Sequence, residues 1–296
     1  MHHADSRRSD LNRREVLAAG AAAAVSASLP LAALAHISAT PRACRPALVV
    51  LHLRGGADGL SLCIPFTDPA LASLRADLLP PPSGARAGCI PISDRFAVPR
   101  ELEALIDPFR RGHAAVVHAA GFADASRSHA AAQQLADRTL AELCAGVAVS
   151  ARAASCENKG LRETLANAGD RLQTDGQLAL AEVEHSGYDT HVDQLHAAAT
   201  LSELAAAIRG FHDRFIADAS SRPIRLVVIT EFGRTLGQNA QRGTDHGNAS
   251  AVFVFGRSLP LLALETRWPE LSGLAWHDGL PVTTDIRSVI RRVTSA

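Results

Sequence analysis

Apolar positions along this chain fall into two kinds of segment. Residues 47–53, 114–120, 178–183, 224–230 and 251–255 are short, nearly unbroken apolar runs rich in Val, Ile, Leu and Ala. Runs of that length, bounded by glycine or polar turns, read as strands buried on both faces of a parallel sheet. Other segments have helical spacing. Leu102, Leu105, Ile106 and Phe109 share one face of residues 100–111, and Leu195, Leu201, Leu204, Ile208, Phe211 and Phe215 share one face of residues 192–217. An Ala- and Gln-rich helix is expected after His129, and the Ala-rich stretch 138–180 reads as helix and loop. Strands alternating with helices predict an α/β fold, a mostly parallel sheet with helices on both faces. No internal repeat and no second domain boundary is visible.

The N-terminus follows a different pattern. Arg13-Arg14 precede an almost uncharged run from residue 16 to residue 35, which ends in Ala33-Leu34-Ala35. A basic start, an apolar middle and a small-x-small end make an export signal, and the paired arginines suggest the twin-arginine route. Residues 1–35 are therefore expected to be removed by the twin-arginine export machinery, leaving a single domain over 36–296 in the periplasm or outside the cell. The run is mostly alanine, so it makes a poor permanent membrane anchor; the alternative is an uncleaved N-terminal membrane helix.

Composition narrows the classes. Lys+Arg and Asp+Glu both number 30, so the formal net charge is zero. This argues against nucleic-acid binding, which needs a clustered basic surface. Without residues 1–35 the balance moves only to about −1. Cys44, Cys63, Cys89, Cys144 and Cys156 are odd in number and contain no C-x-x-C spacing, so neither a zinc knuckle nor a redox pair is indicated.

Ligands of open α/β sheets bind beyond the carboxyl ends of the strands, and polar clusters fall there. Asp58 follows the first strand, Ser126-Arg127-Ser128-His129 the second, and Asp189 and His191 the third. Glu231 and Arg234 follow the fourth, with Asp245-His246 in the loop beyond. Carboxylate and imidazole ligate divalent ions. Two such ions about 4 Å apart would polarise a phosphoryl-type oxygen and activate a nucleophile. Ser128, at a helix start beside Arg127, is placed for an anionic group. Each residue also has a purely structural reading. Asp58 could be a turn residue, Ser126 or Ser128 an N-cap, Asp189 the cap of the next helix, and Glu231 a partner of Arg234.

Five ordered motifs carry a resemblance as well. They are Leu53-Arg54-Gly55-Gly56-Ala57-Asp58-Gly59-Leu60, Ser126-Arg127-Ser128-His129, Gly187-Tyr188-Asp189-Thr190-His191, Glu231-Phe232-Gly233-Arg234-Thr235 and Gly243-Thr244-Asp245-His246-Gly247. With the leader and Val282-Thr283-Thr284-Asp285-Ile286-Arg287, they resemble the DUF1501 family from the leader to the C-terminus. That family is similar in fold to the alkaline phosphatase and sulfatase superfamily, which implies an α/β/α sandwich with a metal site at the strand ends. By the same analogy Asp58, Asp189, His191, Glu231, Asp245 and His246 would hold zinc, manganese, calcium or magnesium. Ser128 would be the nucleophile, and Arg127, assisted by Arg234, would bind the oxygens of a small anionic ester. Two departures stand out. Asn248 occupies a position where family members usually carry a second His, and the stretch between Gln134 and Leu178 is short.

Two functions follow as expectations: an exported metal-dependent hydrolase of phosphate or sulfate esters, or a catalytically inactive periplasmic binding or assembly protein that keeps the fold.

Overall fold

Alternation along residues 47–53 decides how the layers form. In the computed structural model these residues make β1 (Ala47–Leu53), buried at every position. Other strands are β2 (Cys89–Pro91), β3 (Ala97–Pro99), β4 (Ala114–Gly121), β5 (Ala148–Val149), β6 (Leu178–His185), β7 (Ile224–Thr230), β8 (Ser250–Phe255), β9 (Leu264–Glu265) and β10 (Thr284–Asp285). The α-helices are α1 (Gly59–Leu62), α2 (Leu71–Leu74), α3 (Ile106–Arg110), α4 (His129–Leu143), α5 (Leu161–Thr174), α6 (Ala198–Phe211) and α7 (Ile286–Ser295). The structure describes residues 46–75, 78, 88–123, 127–143, 148–149, 160–259, 264–265 and 267–295. All of them belong to the compact unit Arg45–Ala296. The segment expected to be an export signal, with Ser126, Cys44, Cys144 and Cys156, lies outside the described residues.

β1 pairs in parallel with β6 and β7, and the sheet runs β10-β4-β8-β7-β1-β6-β5, with β9 beside β4. Val49 and Leu51 point to the side where Leu161, Leu165 and Leu172 of α5 and Leu204, Ile208 and Phe211 of α6 pack. Leu48 and Val50 point to the other side, against Ile286, Val289, Ile290 and Val293 of α7 and Ala136 of α4. Helices cover both faces of a mostly parallel sheet, as the alternation of apolar runs and helical segments requires. Each fully buried Leu or Val contributes about 1.5–3 kcal/mol, so the strand runs are the main source of stability.

Three details differ from the sequence reading. β8 is antiparallel to both β7 and β4. The segment between β7 and β8 is a loop without a covering helix, and a strand that returns without a crossover pairs antiparallel. The helix expected over 192–217 is composite: a 3-10 turn Gln194–Ala197, α6, then a π-type turn His212–Ile216. Residues 100–111 likewise begin as a 3-10 turn, Arg100–Leu105, before α3.

β4 carries a bulge between Val117 and Ala120, with Ala119 at φ 53°. It turns His118 into the core, where Nε2 donates to the Cys63 carbonyl at 2.7 Å and Nδ1 accepts from the Ala119 amide at 2.7 Å. Among the described residues no helix is long and apolar enough to cross a membrane. Cys63, buried, and Cys89, half-buried, are free thiols.

Candidate metal centre

The chain leaves the carboxyl ends of β1, β6 and β7 in three loops that are tied together before any ligand chemistry begins. After β1, Gly55 and Gly56 take φ 116° and 77°, left-handed values that favour glycine. A Cβ on Gly55 would collide with the Asp189 backbone amide, so the turn can approach the 186–193 loop only without a side chain. The Arg234 guanidinium, 1% exposed, binds all three loops. Its Nε donates to the Gly56 carbonyl, its Nη1 to Thr244, and its Nη2 to Gly55 and Tyr188. Nη2 also holds Asp189 Oδ1 at 2.6 Å. Buried and engaged through all three nitrogens, Arg234 clamps the loops and aims Asp189, and the substrate-binding role expected for it gives way to that.

Around Asp189 three imidazoles gather. His191 Nε2 is 3.1 Å and His246 Nε2 3.4 Å from Asp189 Oδ1, and the two ring nitrogens are 3.0 Å from each other. The far side of each ring fixes its tautomer. His246 Nδ1 lies 3.0 Å from the Arg127 carbonyl oxygen, which can only accept, so that nitrogen carries the proton. His191 Nδ1 lies 3.0 Å from Asp245 Oδ1 and donates to it. In their neutral forms both rings would therefore turn Nε2 lone pairs toward each other and toward a carboxylate. Only a shared cation, a proton or a metal ion, resolves that contact. An outer acceptor on each far nitrogen is the usual support of histidine metal ligands.

His129, the first residue of α4, adds a third ring. Its Nε2 is 3.7 Å from Asp189 Oδ2 and its Nδ1 3.7 Å from Glu231 Oε1. One ligand atom each from His129, Asp189 and His246 lie within 4.8 Å of one another. Phe232 packs its ring on His246 and His129, with centroids 4.5 and 4.9 Å apart, and so fixes both rings.

Charge follows this geometry. Burial alone would raise the Asp189 carboxyl, but the hydrogen bond and charge of Arg234, with His191 and His129, hold it below the ordinary aspartate value. The hydrogen bond from His191 lowers Asp245 against a smaller burial effect. Glu231 is 1% exposed, and burial would raise it. The facing His52 and the Gly55 and Gly56 amides, 3.0–3.1 Å from its oxygens, keep it low instead.

The sequence-named residues thus separate into roles. Asp189, His191 and His246 meet; Asp245 supports His191 from behind. Glu231 is spent on the glycine turn and on Arg54, whose Nη1 is 3.2 Å from Oε1, so it braces the site from beneath instead of offering a free ligand. Its partner is Arg54, where Arg234 was the structural alternative. Asp58 stands apart. It caps α1, forms a buried ion pair with Arg75, and accepts from Ser61 and Gln194 at 2.5 Å. Its oxygens are occupied, and the expected ligand role gives way to the structural one. With Asp58 and Glu231 engaged, the gathered donors among the described residues form one candidate cation cluster, where the sequence reading expected ligands for two ions.

Ser128 is exposed at the residue before α4, next to His129. Arg127 lies at the rim, its Nε donating to Asn248 Oδ1 at 2.7 Å. Asn248 therefore holds Arg127 and does not extend the ligand group. His129 joins the cluster although no ligand role was expected for it. Its signal was its place, the first residue of a helix following a buried strand at the same sheet edge. Arg75 and Gln194 had no such signal.

Two cavities lie nearby. One of 320 Å³ is walled by Arg127, Asn248, Glu231, Phe122, Phe232 and Val282, beside the cluster. A larger one of 390 Å³ is mostly aliphatic and touches Asp58 and Gln194 but none of the clustered ligand residues, so size does not mark the chemistry here.

A family model described as "Protein of unknown function (DUF1501)" matches residues 100–259, more than half of the chain. No curated protein and no solved structure matches it.

Proposed function

The chain belongs to the DUF1501 family, and from that premise we propose that it is an exported metal-dependent hydrolase of phosphate or sulfate esters. One observation carries the reading: Asp189 Oδ1 and the Nε2 atoms of His191 and His246, whose other ring nitrogens already donate elsewhere, converge within 3.0–3.4 Å, a contact that calls for a shared cation. The position at the carboxyl edge of an α/β/α sheet supports kinship with the alkaline phosphatase and sulfatase superfamily, which is part of the same proposal.

A divalent ion held by Asp189, His191 and His246, with His129 beside them, would supply Lewis-acid charge to an ester oxygen. The chain's own groups do the rest. Asp245 and the Arg127 carbonyl hold the imidazole protons away from the ligand face. Arg234 keeps Asp189 aimed and ionised. Ser128 is the candidate nucleophile, exposed one residue from His129. Arg127 stands at the rim for the ester's anionic oxygens.

The test is turnover of aryl phosphate and aryl sulfate by metal-loaded protein, with metal content measured on the same sample. Turnover lost in Ser128→Ala while the metal is retained, and metal lost in His246→Ala, is the expected result. Protein that binds no divalent ion and turns over neither ester sinks the proposal.

A second reading, a non-catalytic periplasmic binding or assembly protein, is favoured by the commitment of Asp58 and Glu231 to internal partners. It expects no chelator effect on stability or activity. Export is checked separately: the Arg13→Lys, Arg14→Lys double variant of the full chain should remain in the cytoplasmic fraction, and unchanged periplasmic recovery would refute the leader assignment.

A further inference from the structure

The 320 Å³ cavity beside the metal centre offers a ligand one kind of hydrogen-bonding side chain. Arg127 uses Nε on Asn248 Oδ1 at 2.7 Å, and its Nη1 is a long 3.5 Å from the His246 carbonyl. Nη2 of Arg127 and Nδ2 of Asn248 make no hydrogen bond among the described residues. Both belong to side chains that wall the cavity. The carboxylate on the opposite wall, Glu231, is already engaged by the Gly55 and Gly56 amides and Arg54. Phe122, Phe232 and Val282 supply the remaining side-chain surface. Unpaired donors with no free carboxylate select an acceptor-rich ligand, and a guanidinium with an open η edge selects an oxyanion.

We propose that this cavity is an oxyanion subsite, in which Asn248 orients Arg127 so that its η edge and the Asn248 amide bind a phosphate-, sulfate- or carboxylate-type group. Asn248 acts through Arg127: accepting from Nε fixes the guanidinium plane, and a side chain without that acceptor leaves the long arginine stem free to rotate. The role of the oxyanion as part of a substrate rests on the hydrolase reading. The anion site itself does not.

For that reason the experiment begins on the metal-stripped full chain, titrated with inorganic phosphate and inorganic sulfate by calorimetry. The wild type should bind one of them saturably. Arg127→Ala should weaken binding about tenfold or more, the usual cost of one charge-assisted hydrogen bond. Asn248→Ala should weaken it severalfold, with an unchanged thermal midpoint. The double variant should be weaker than Arg127→Ala alone by less than Asn248→Ala weakens the wild type, because the orienting part of Asn248's effect passes through Arg127.

Zinc loading separates the two sources of the oxyanion. Affinity that rises with zinc means the group is the ester's own, shared between ion and arginine; unchanged affinity means a second acidic group on the ligand. No saturable binding to the stripped wild type, variants that bind like wild type, or effects of Asn248 and Arg127 that simply add would each overturn the proposal. A protein that binds anion normally but never takes up metal would refute the hydrolase reading alone.

Discussion

At the scale of single residues, similar side chains at one sheet edge have been given different work by their neighbours. Asp58 and Asp189 are both aspartates in loops leaving parallel strands. One is neutralised by a buried arginine and capped by Ser61 and Gln194, the other is held by Arg234 yet keeps half its surface open among imidazoles. Sequence shows the acids but not which are already engaged, because Arg75 and Arg234 reach their partners through folded loops. The strand ends that collect Asp189, His191, Glu231, Asp245 and His246 were legible from the apolar runs; the division of labour among them was not. Arg234 gives the sharpest prediction. Replacing it with Met leaves four loop carbonyls and Asp189 without their shared donor. Stability should fall by about 3–5 kcal/mol, because the buried loop carbonyls it serves are left unsatisfied at roughly 1–3 kcal/mol each. Arg234→Lys should recover less than half of it, since an ammonium cannot reproduce the planar fork. Urea unfolding measures both; a loss under about 1 kcal/mol, typical of exposed ion pairs, would contradict the clamp.

At the scale of elements, the strands bring uncharged histidines into the core. His118 on β4 is fully buried, and burial, only partly opposed by its bond to the Cys63 carbonyl, lowers its pKa to about 4. His52 on β1 is likewise lowered to about 4, chiefly by burial. Between pH about 4 and 6.5 the unfolded chain binds protons that the folded chain refuses, so the stability they carry is complete above 6.5 and is lost as pH falls through that window. The loss is on the order of 3 kcal/mol per histidine. His118→Gln keeps a donor and an acceptor but cannot titrate. Urea unfolding at pH 5.0 and 7.5 should therefore show a smaller difference between the two pH values in that variant than in wild type. An equal difference would mean His118 is already protonated in the fold. The strands themselves could be read ahead of the structure because unbroken apolar runs have few other uses. The antiparallel sense of β8 could not, since direction is set by what the 231–249 loop does in space. The composite 192–217 helix was hidden for a related reason: 3-10, α and π turns share nearly the same apolar spacing.

At the scale of the whole molecule, the candidate centre joins parts of the chain far apart in sequence. His129 comes from α4, Asp189 and His191 from the loop after β6, and His246 from the loop between β7 and β8. An ion that bridges them binds the folded chain and has no comparable site in the unfolded one, so binding free energy becomes stability. At a thousandfold excess over the dissociation constant the gain is about 4 kcal/mol, a large part of the roughly 5–15 kcal/mol by which domains are stable. Donor chemistry also narrows which ion such a centre would take. Two or three imidazole nitrogens with one carboxylate suit zinc or cobalt, whereas calcium and magnesium require mostly oxygen ligands. Thermal unfolding of chelator-treated protein should therefore rise by several degrees with micromolar zinc or cobalt and stay unchanged with millimolar calcium or magnesium. His191→Ala and His246→Ala should each abolish the zinc response. Arg75→Met, which removes the Asp58 pair and the bonds to the Thr235 and Leu236 carbonyls but none of the clustered donors, should lower the midpoint but retain the zinc response. A zinc response that survives loss of His246 and disappears in Asp58→Asn would place the ion at Asp58, and the convergence at Asp189 would then be a proton-sharing contact only.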